Sequence, residues 1–525
     1  MVERHVPVLV AGGSLVGLTT SALLADHGVP HLLVESHAGT AIHPRAASFH
    51  QRTMEVFRSV GLQDAVEQAA ASEFVQNGAI MAVESLGGKE LQYFFHSYND
   101  GVGGLSPTDR LFITQVGLEP VLRDQAVELG AQHSFGTELV AFEEHDDHVR
   151  SVIQPRGGGP EEVVVSDFLV AADGAHSPIR DRLGIPMTGR GSFADCVTIY
   201  FRADVKPLLG DRNLSVVYVN HPNLLGFFRF SITGDSGFLA VFSTTAEDGT
   251  RDTKVGDDVS PERCVELVRT ALGGPDLPVD VESVQRWAAS VATAETFSRG
   301  RVFLVGDAAH VMPPTGGFGG NTGVADAHNL AWKLAMVRKG VAGPGLLTSY
   351  DAERRPISRL TVEQAYTRYV LRVDPSLPQD DLQPPMDDAS IELGAVYRSG
   401  AVHETGAPEQ PLDDPRLHSW AGGTRVPHLT LEEGRSTVDL PGHGFALLVE
   451  AEEDDWHKVA DVAQRALDVP LTVQAVHDTN LEGAALVRPD GVIAWRTDDA
   501  PAISGLESAL TSLLHDEPTP GRPAS

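Results

Sequence analysis

Cysteine is nearly absent: only Cys196 and Cys264 occur in 525 residues, far apart and without CxxC spacing. That argues against a disulfide framework and a cysteine-based metal site, and it points to the reducing cytosol. Basic residues are also scarce, 40 Lys and Arg against 72 Asp and Glu, for a net charge of −32. Such a balance repels phosphate backbones and anionic lipid headgroups, so neither nucleic acid nor a membrane surface is expected as a partner. No apolar run approaches the roughly 20 residues that span a bilayer. The opening MVERHVPVLVAGG runs straight into glycines, which is not the layout of a signal peptide, and a cytoplasmic location is the expectation. HExxH and clustered Cys and His are missing, so no metal is expected. Aromatics make up 6% of the chain, which makes their placement informative.

What is present is a soluble globular composition, 42% hydrophobic and 21% charged, in a length that suggests roughly three domains. Val6 to Val10 predicts a strand, Ala11 to Gly17 a glycine turn, and Leu18 to His27 an apolar helix stopped by Gly28. His31 to Val34 predicts a second strand, ended by Glu35. This is a βαβ unit with the dinucleotide fingerprint in context, Gly12 first and Gly17 third, with Ser14 in place of the second glycine. Serine keeps the backbone N–H, so a pyrophosphate can still dock at the helix N-terminus, with Glu35 on a ribose. Arg45, beyond Pro44, is placed to meet phosphate or a second anionic nucleotide. Gln115 opens a helix containing Leu118, Leu122 and Val127, where its amide can reach a ligand edge.

Two further strand ends carry an acid beside glycine. Phe168 to Ala171 runs into Asp173 and Gly174, and Val302 to Val305 runs into Gly306 and Asp307. Far apart in sequence, these turns can flank one ligand only if the sheet brings them together, at the carboxyl ends where α/β sheets bind ligands. After Asp307, Pro313 and Pro314 stiffen the chain, and Gly316, Gly317, Gly319 and Gly320 let backbone approach a flat ligand. From Asn321 the apolar spacing of Val324, Ala327, Leu330, Ala331 and Leu334 predicts a helix, whose N-terminus favours negative charge.

The expected fold is α/β. Residues 1–186 and 290–375 form a Rossmann-type domain with a small strand-rich excursion at 71–104, and residues 187–289 form an inserted antiparallel-sheet domain. Tyr200, Phe201, Tyr218, Phe227, Phe228 and Phe230 concentrate in that insertion, mostly as core, with a minority free to line a pocket for a flat substrate. Ser349 to Arg355 begins a helix, an amphipathic stretch follows from Ile357 to Leu371, and residues 376–423 read as linker or loop. Residues 424–514 alternate strands and helices as a compact tail domain, and 515–525 read as disordered.

VLVAGGSLVGL, DGAHSPIR and LVGDAAHVMPPTGGFGGN, in this order, resemble the FAD-dependent aromatic hydroxylases of the para-hydroxybenzoate hydroxylase fold, including the polyketide hydroxylases of antibiotic pathways. The tail resembles the cysteine-free thioredoxin-like domain of the larger members. The resemblance implies that Gly12, Ser14 and Gly17 hold the FAD pyrophosphate and Glu35 the adenosine ribose. Arg45, Gln115, Asp173 and Gly174 also contact FAD, and the Asp173 turn, with Ser177 and Arg180, serves NAD(P)H as well. Asp307 contacts the ribityl or pyrophosphate region, Gly320 and Asn321 aim N–H groups at the pyrimidine edge, and Pro314 lies beside the ring. The implied reaction uses NADPH or NADH and O2, passes through a flavin C4a-hydroperoxide, and hydroxylates a small aromatic polycyclic phenol. Tyr218 and Arg372 are the candidates to assist phenol deprotonation. A Baeyer–Villiger or drug-inactivating oxygenase, and a FAD-stabilised binding protein without turnover, are the alternatives. The oligomeric state stays open.

Overall fold

The computed structural model describes residues 2–43, 47–245, 250–403, 406–450, 454–477 and 480–515. Arg45 and the tail beyond residue 515 lie outside the described residues.

The first sheet runs in the order Gln132–Phe135, His31–Glu35, Val2–Ala11, Glu162–Ala171, Val302–Leu304, Ser298–Arg299. All but the last pair are parallel. The apolar runs VLV and HLLVE are buried along their length, as expected where helices cover both sheet faces. Register sets Ala171 beside both Ala11 and Leu304, so the three loops that follow leave the same sheet edge side by side. Helix Leu15–Asp26 packs against helices Gln115–Glu128 and Phe318–Arg338. Close packing explains Gly17: a Cβ there would lie 1.9 Å from the Gly12 carbonyl.

A second sheet runs His310–Val311, Asp280–Ala294, Met187–Arg202, Ser236–Thr245, Leu224–Phe230, Leu214–His221, Ala79–Val83, Glu90–Phe95. The strands of the excursion at 71–104 therefore extend this sheet, joined by a parallel pairing of Ala79–Val83 with Leu214–His221. One face buries Val197, Ile199, Phe201, Phe228 and Leu239 against Cys264, Leu267 and Val268 of helix Pro261–Leu272. The opposite face carries Cys196, Tyr218 and Phe242 against Tyr369 and Val373.

Tyr369 belongs to one continuous helix, Thr348–Arg372, which takes in both the start at Ser349 to Arg355 and the amphipathic stretch from Ile357 to Leu371. Pro356 lies inside it; an interior proline removes one i→i−4 hydrogen bond and crowds the carbonyl four residues back, and the packing of this long helix against its neighbours outweighs that cost. The described residues between 376 and 423 are packed rather than a bare linker: Ile391, Leu393, Tyr397 and Trp420 are buried, and Glu392 pairs with Arg110 at 2.8 Å, both 3% exposed. The last sheet runs Leu471–Ala475, Phe445–Val449, Ala484–Val487, Ile493–Thr497. A parallel βαβ unit through helix Asp454–Leu467, an antiparallel hairpin and helix Ile503–His515 give it the thioredoxin-like arrangement, without cysteines. Among the described residues, no helix is long and apolar enough to cross a membrane.

Candidate functional site

The three adjacent loops form the floor of the site. Gly12 has φ +111°, and a Cβ there would sit 2.2 Å from the Ala172 carbonyl, so only glycine lets this loop lie against the next. Glu35, at the end of its strand, accepts from Gly13 N at 2.6 Å and His37 N at 2.7 Å. Burial works against its charge, but these N–H groups hold the carboxyl below its usual range. Ser14 is exposed, and its hydroxyl donates to Glu119 Oε1 at 2.6 Å. The same carboxylate accepts from Leu15 N at 2.9 Å and from Ala41 N at 2.6 Å, and Gln115 Nε2 donates to both Glu119 and Ser14 at 3.2 Å. Glu119 is fully buried and was not singled out in the sequence. Its one visible signal is an acid between Leu118 and Leu122 on the face of the helix that should be apolar.

The structure brings the Asp173 and Asp307 turns together through Arg180. Its guanidinium donates at 3.1 Å to the carbonyls of Ala175, on the first turn, and Ala308, on the second. Asp173 Oδ2 accepts from Ile179 N at 3.1 Å, and Gly174 takes φ +83°. Burial pushes the Asp173 carboxyl up from its usual value. Two buried atoms here, Asp173 Oδ1 and Arg180 Nε, have no partner in the protein. Asp307 lies exposed among buried neighbours on the turn Gly306–Ala308.

The proline-glycine loop follows. Pro314 is exposed, and Gly316 and Gly317 take φ +90° and +70°. Gly317 is the left-handed N-cap of helix Phe318–Arg338, which therefore starts before Asn321 and leaves Gly319 and Gly320 in its first turn, where N–H groups are free of intrahelical bonds. The Asn321 side chain is buried: Oδ1 accepts from His50 N at 2.9 Å and Thr53 Oγ1 at 2.6 Å, while Nδ2 donates to Ser48 and Gly317 carbonyls at 2.9 and 2.7 Å. Below the loop Asp326 accepts from Gly306 N at 3.1 Å and Arg354 Nε at 2.8 Å and bonds His310 at 2.7 Å. Burial opposes its charge, yet Arg354 and His310 hold the carboxyl below its usual range.

Tyr218 and Arg372, 154 positions apart by number, come together, with the guanidinium close enough for its charge to act on the phenol. Burial pushes the Tyr218 phenol up and Arg372 opposes the rise. Phe94 packs on both, 5.2 Å from the Arg372 guanidinium and 5.7 Å from the Tyr218 ring. Helix Thr348–Arg372 joins this pair to the proline-glycine loop, since Thr315 Oγ1 donates to the Ala365 carbonyl at 2.6 Å. Ala365 and Arg372 are separated by about 10 Å of helix.

These loops fit a dinucleotide bearing a flat ring system. A glycine cradle meets a helix N-terminus for phosphate, an acid stands at the ribose position, partnerless buried polar atoms line the next two turns, and a stiff loop supplies free N–H groups. Comparison with known proteins agrees. A family model described as FAD binding domain matches residues 5–365, and one described as aromatic-ring hydroxylase, C-terminal, matches residues 418–516. A 4-methyl-5-nitrocatechol 5-monooxygenase from Burkholderia sp is 44% identical, covering 98% of this chain and 97% of its own. A putative polyketide hydroxylase from Streptomyces halstedii is 40% identical, covering 97% of each. The crystal structure of an aklavinone-11 hydroxylase in ternary complex with FAD and aklavinone superposes with a TM-score of 0.91 at 35% identity, covering 98% of this chain and 100% of that one.

Proposed function

The chain belongs to the FAD-binding aromatic-ring hydroxylases, and from that premise we propose that it is a flavin-dependent monooxygenase that hydroxylates a polycyclic, polyketide-type phenol with NAD(P)H and O2. The observation that carries the reading is the meeting of three carboxyl-end loops, with Asp173 Oδ1 and Arg180 Nε left partnerless, joined by one helix to the Tyr218–Arg372 pair. Gly12, Ser14 and Gly17 hold the pyrophosphate, Glu35 the adenosine ribose, and Asp307 the ribityl region. Gln115, Asp173 and Gly174 face the same cofactor, and Arg45 is assigned to it on sequence alone. Pro314 flanks the ring, and Gly320 and Asn321 direct N–H groups at its pyrimidine edge. When bound, FAD takes two electrons from the nicotinamide and delivers one atom of O2 to the substrate ring.

The protein's own contribution is placement and charge. Tyr218 keeps its proton because burial raises its pKa, so its hydroxyl donates to a substrate oxygen. The Arg372 guanidinium adds positive charge beside that oxygen, and together they favour the phenolate, the form in which the ring is most electron-rich. The spacing of about 10 Å along the helix between the loop and this pair exceeds one benzene ring and suits fused rings. A second reading, a monocyclic nitro-substituted catechol, is favoured by the 44% identity to the nitrocatechol monooxygenase. Anaerobic reduction of the bound flavin by NADPH or NADH, screened against polycyclic phenols and nitrocatechols and followed by admission of O2 and product mass spectrometry, decides between them. Purified protein with no flavin spectrum would sink both.

A further inference from the structure

The VRPDG turn between the last two strands binds nothing in the reading above, yet buried charge converges on it. Arg488, 1% exposed, donates to both carboxylate oxygens of Glu353 on helix Thr348–Arg372, at 2.7 and 3.0 Å, and to Asp490 at 2.6 and 2.9 Å. Lys333 of helix Phe318–Arg338 donates to Glu353 at 2.8 Å, and Asn329 of the same helix donates to Glu353 and Asp490 at 2.7 and 3.2 Å. Two cations face two carboxylates, which offsets the cost of burying each.

The same turn begins a row of contacts to helix Gln51–Ser59. Arg52, Glu55 and Arg58, three residues apart, lie on one face. Arg52 donates to the Asp490 carbonyl, and a Cβ on Gly491 would stand 3.5 Å from its guanidinium. Glu55 accepts from Arg425 Nε at 3.0 Å and again from its Nη2, while Arg58 forks onto Asp439 at 2.8 and 2.9 Å. All three partners belong to the C-terminal part of the chain. The start of this helix holds the candidate flavin edge, since Asn321 Oδ1 accepts from His50 N and Thr53 Oγ1.

We propose that the C-terminal domain is a clamp that sets the flavin edge. By gripping helix Gln51–Ser59 along one face, and two further helices at Arg488–Asp490, it fixes Asn321 and the loop Gly316–Gly320 against the ring. Arg52, Glu55, Arg58 and their partners are positioning residues, and a domain with this task needs no cysteines. The inference rests on the reading of Asn321 as a flavin-edge residue.

The test is equilibrium binding of FAD to full-length apoprotein, with visible circular dichroism of the bound flavin, for Arg58→Ala, Glu55→Gln, Arg425→Ala and the Glu55→Gln/Arg425→Ala double variant. Arg496→Ala, which removes a surface pair with Asp498 on the same domain, is the control. Each clamp variant is expected to raise the FAD Kd about three- to tenfold and to change the flavin dichroism, with non-additive effects in the double variant. The control is expected to match wild type. Earlier melting with wild-type Kd and dichroism would reduce the domain to a stabiliser and overturn the proposal. Arg58 and Asp439 form a part-exposed pair, so Arg58→Ala gives a folded reading even if the buried changes do not, and an unchanged Kd there counts against the clamp. Wild-type protein that takes up no FAD would overturn the flavin reading itself, a result distinct from unchanged affinities among variants.

Discussion

Ser14 stands where a dinucleotide fingerprint has its second glycine, and its hydroxyl is committed to Glu119. The serine is therefore an anchor, tying the proposed phosphate loop to a carboxylate that also holds Leu15 N and Ala41 N. Ser14→Gly, which restores the glycine pattern, is expected to weaken FAD binding about fivefold, the worth of one hydrogen bond. Glu119→Gln turns an amide donor toward buried donors and is expected to cost about 2 kcal/mol of stability as well. Fluorescence titration with FAD and thermal melts of the apoprotein measure the two effects, and tighter binding by Ser14→Gly would refute the anchor. At the other end of the site Tyr218→Phe removes the proposed donor to the substrate oxygen and the phenol that lies beside Arg372. With the phenolate less favoured, the hydroxylation limb of the pH–rate profile is expected to move to higher pH, and NADPH oxidation to outrun product formation. An unchanged profile with full coupling would remove Tyr218 from the chemistry.

Among elements, the strand-turn-helix units were legible because their signals are local. Gly12, Gly17, Asp173 and Asp307 sit where a glycine or an acid marks a strand end, and the parallel registers then bring those ends together. Nonlocal features were not legible. No local pattern says that Ala79–Val83 and Glu90–Phe95 join a sheet whose other strands begin only at Met187. Nor does the spacing reveal that the helix after the glycine loop starts at Phe318 on a left-handed Gly317. Glu119 is hidden for a related reason, since an acid on an apolar face makes sense only once the loop it holds is known. Tyr218 and Arg372 came from family likeness, and the topology places them in contact. A tight backbone contact between elements offers a direct test: Gly17→Ala sets a methyl 1.9 Å from the Gly12 carbonyl. Backbone must separate there, so loss of bound flavin and a destabilisation of about 1–3 kcal/mol are expected, read as flavin content and melting temperature.

For the molecule as a whole the dominant quantity is the net charge of −32. It acts on the proposed reductant, because a nicotinamide dinucleotide is itself an anion and must approach a protein of like sign. Like-charge repulsion slows encounter, and salt relieves it once the Debye length shrinks to about 10 Å near 0.1 M. The second-order rate constant for flavin reduction by NADPH is therefore expected to rise with ionic strength. The rise should be smaller for NADH, which lacks the additional phosphate. The loops proposed to seat FAD are held by short, buried hydrogen bonds within the protein at Glu35, Glu119 and Asn321, so its affinity should change less over the same range. Stopped-flow reduction under anaerobic conditions, at salt concentrations spanning that value, measures the first pair of effects and FAD titration the third. A rate that falls with salt for NADPH but not NADH would mean that a basic patch, recognising the extra phosphate, overrides the global field, and would make NADPH the preferred donor.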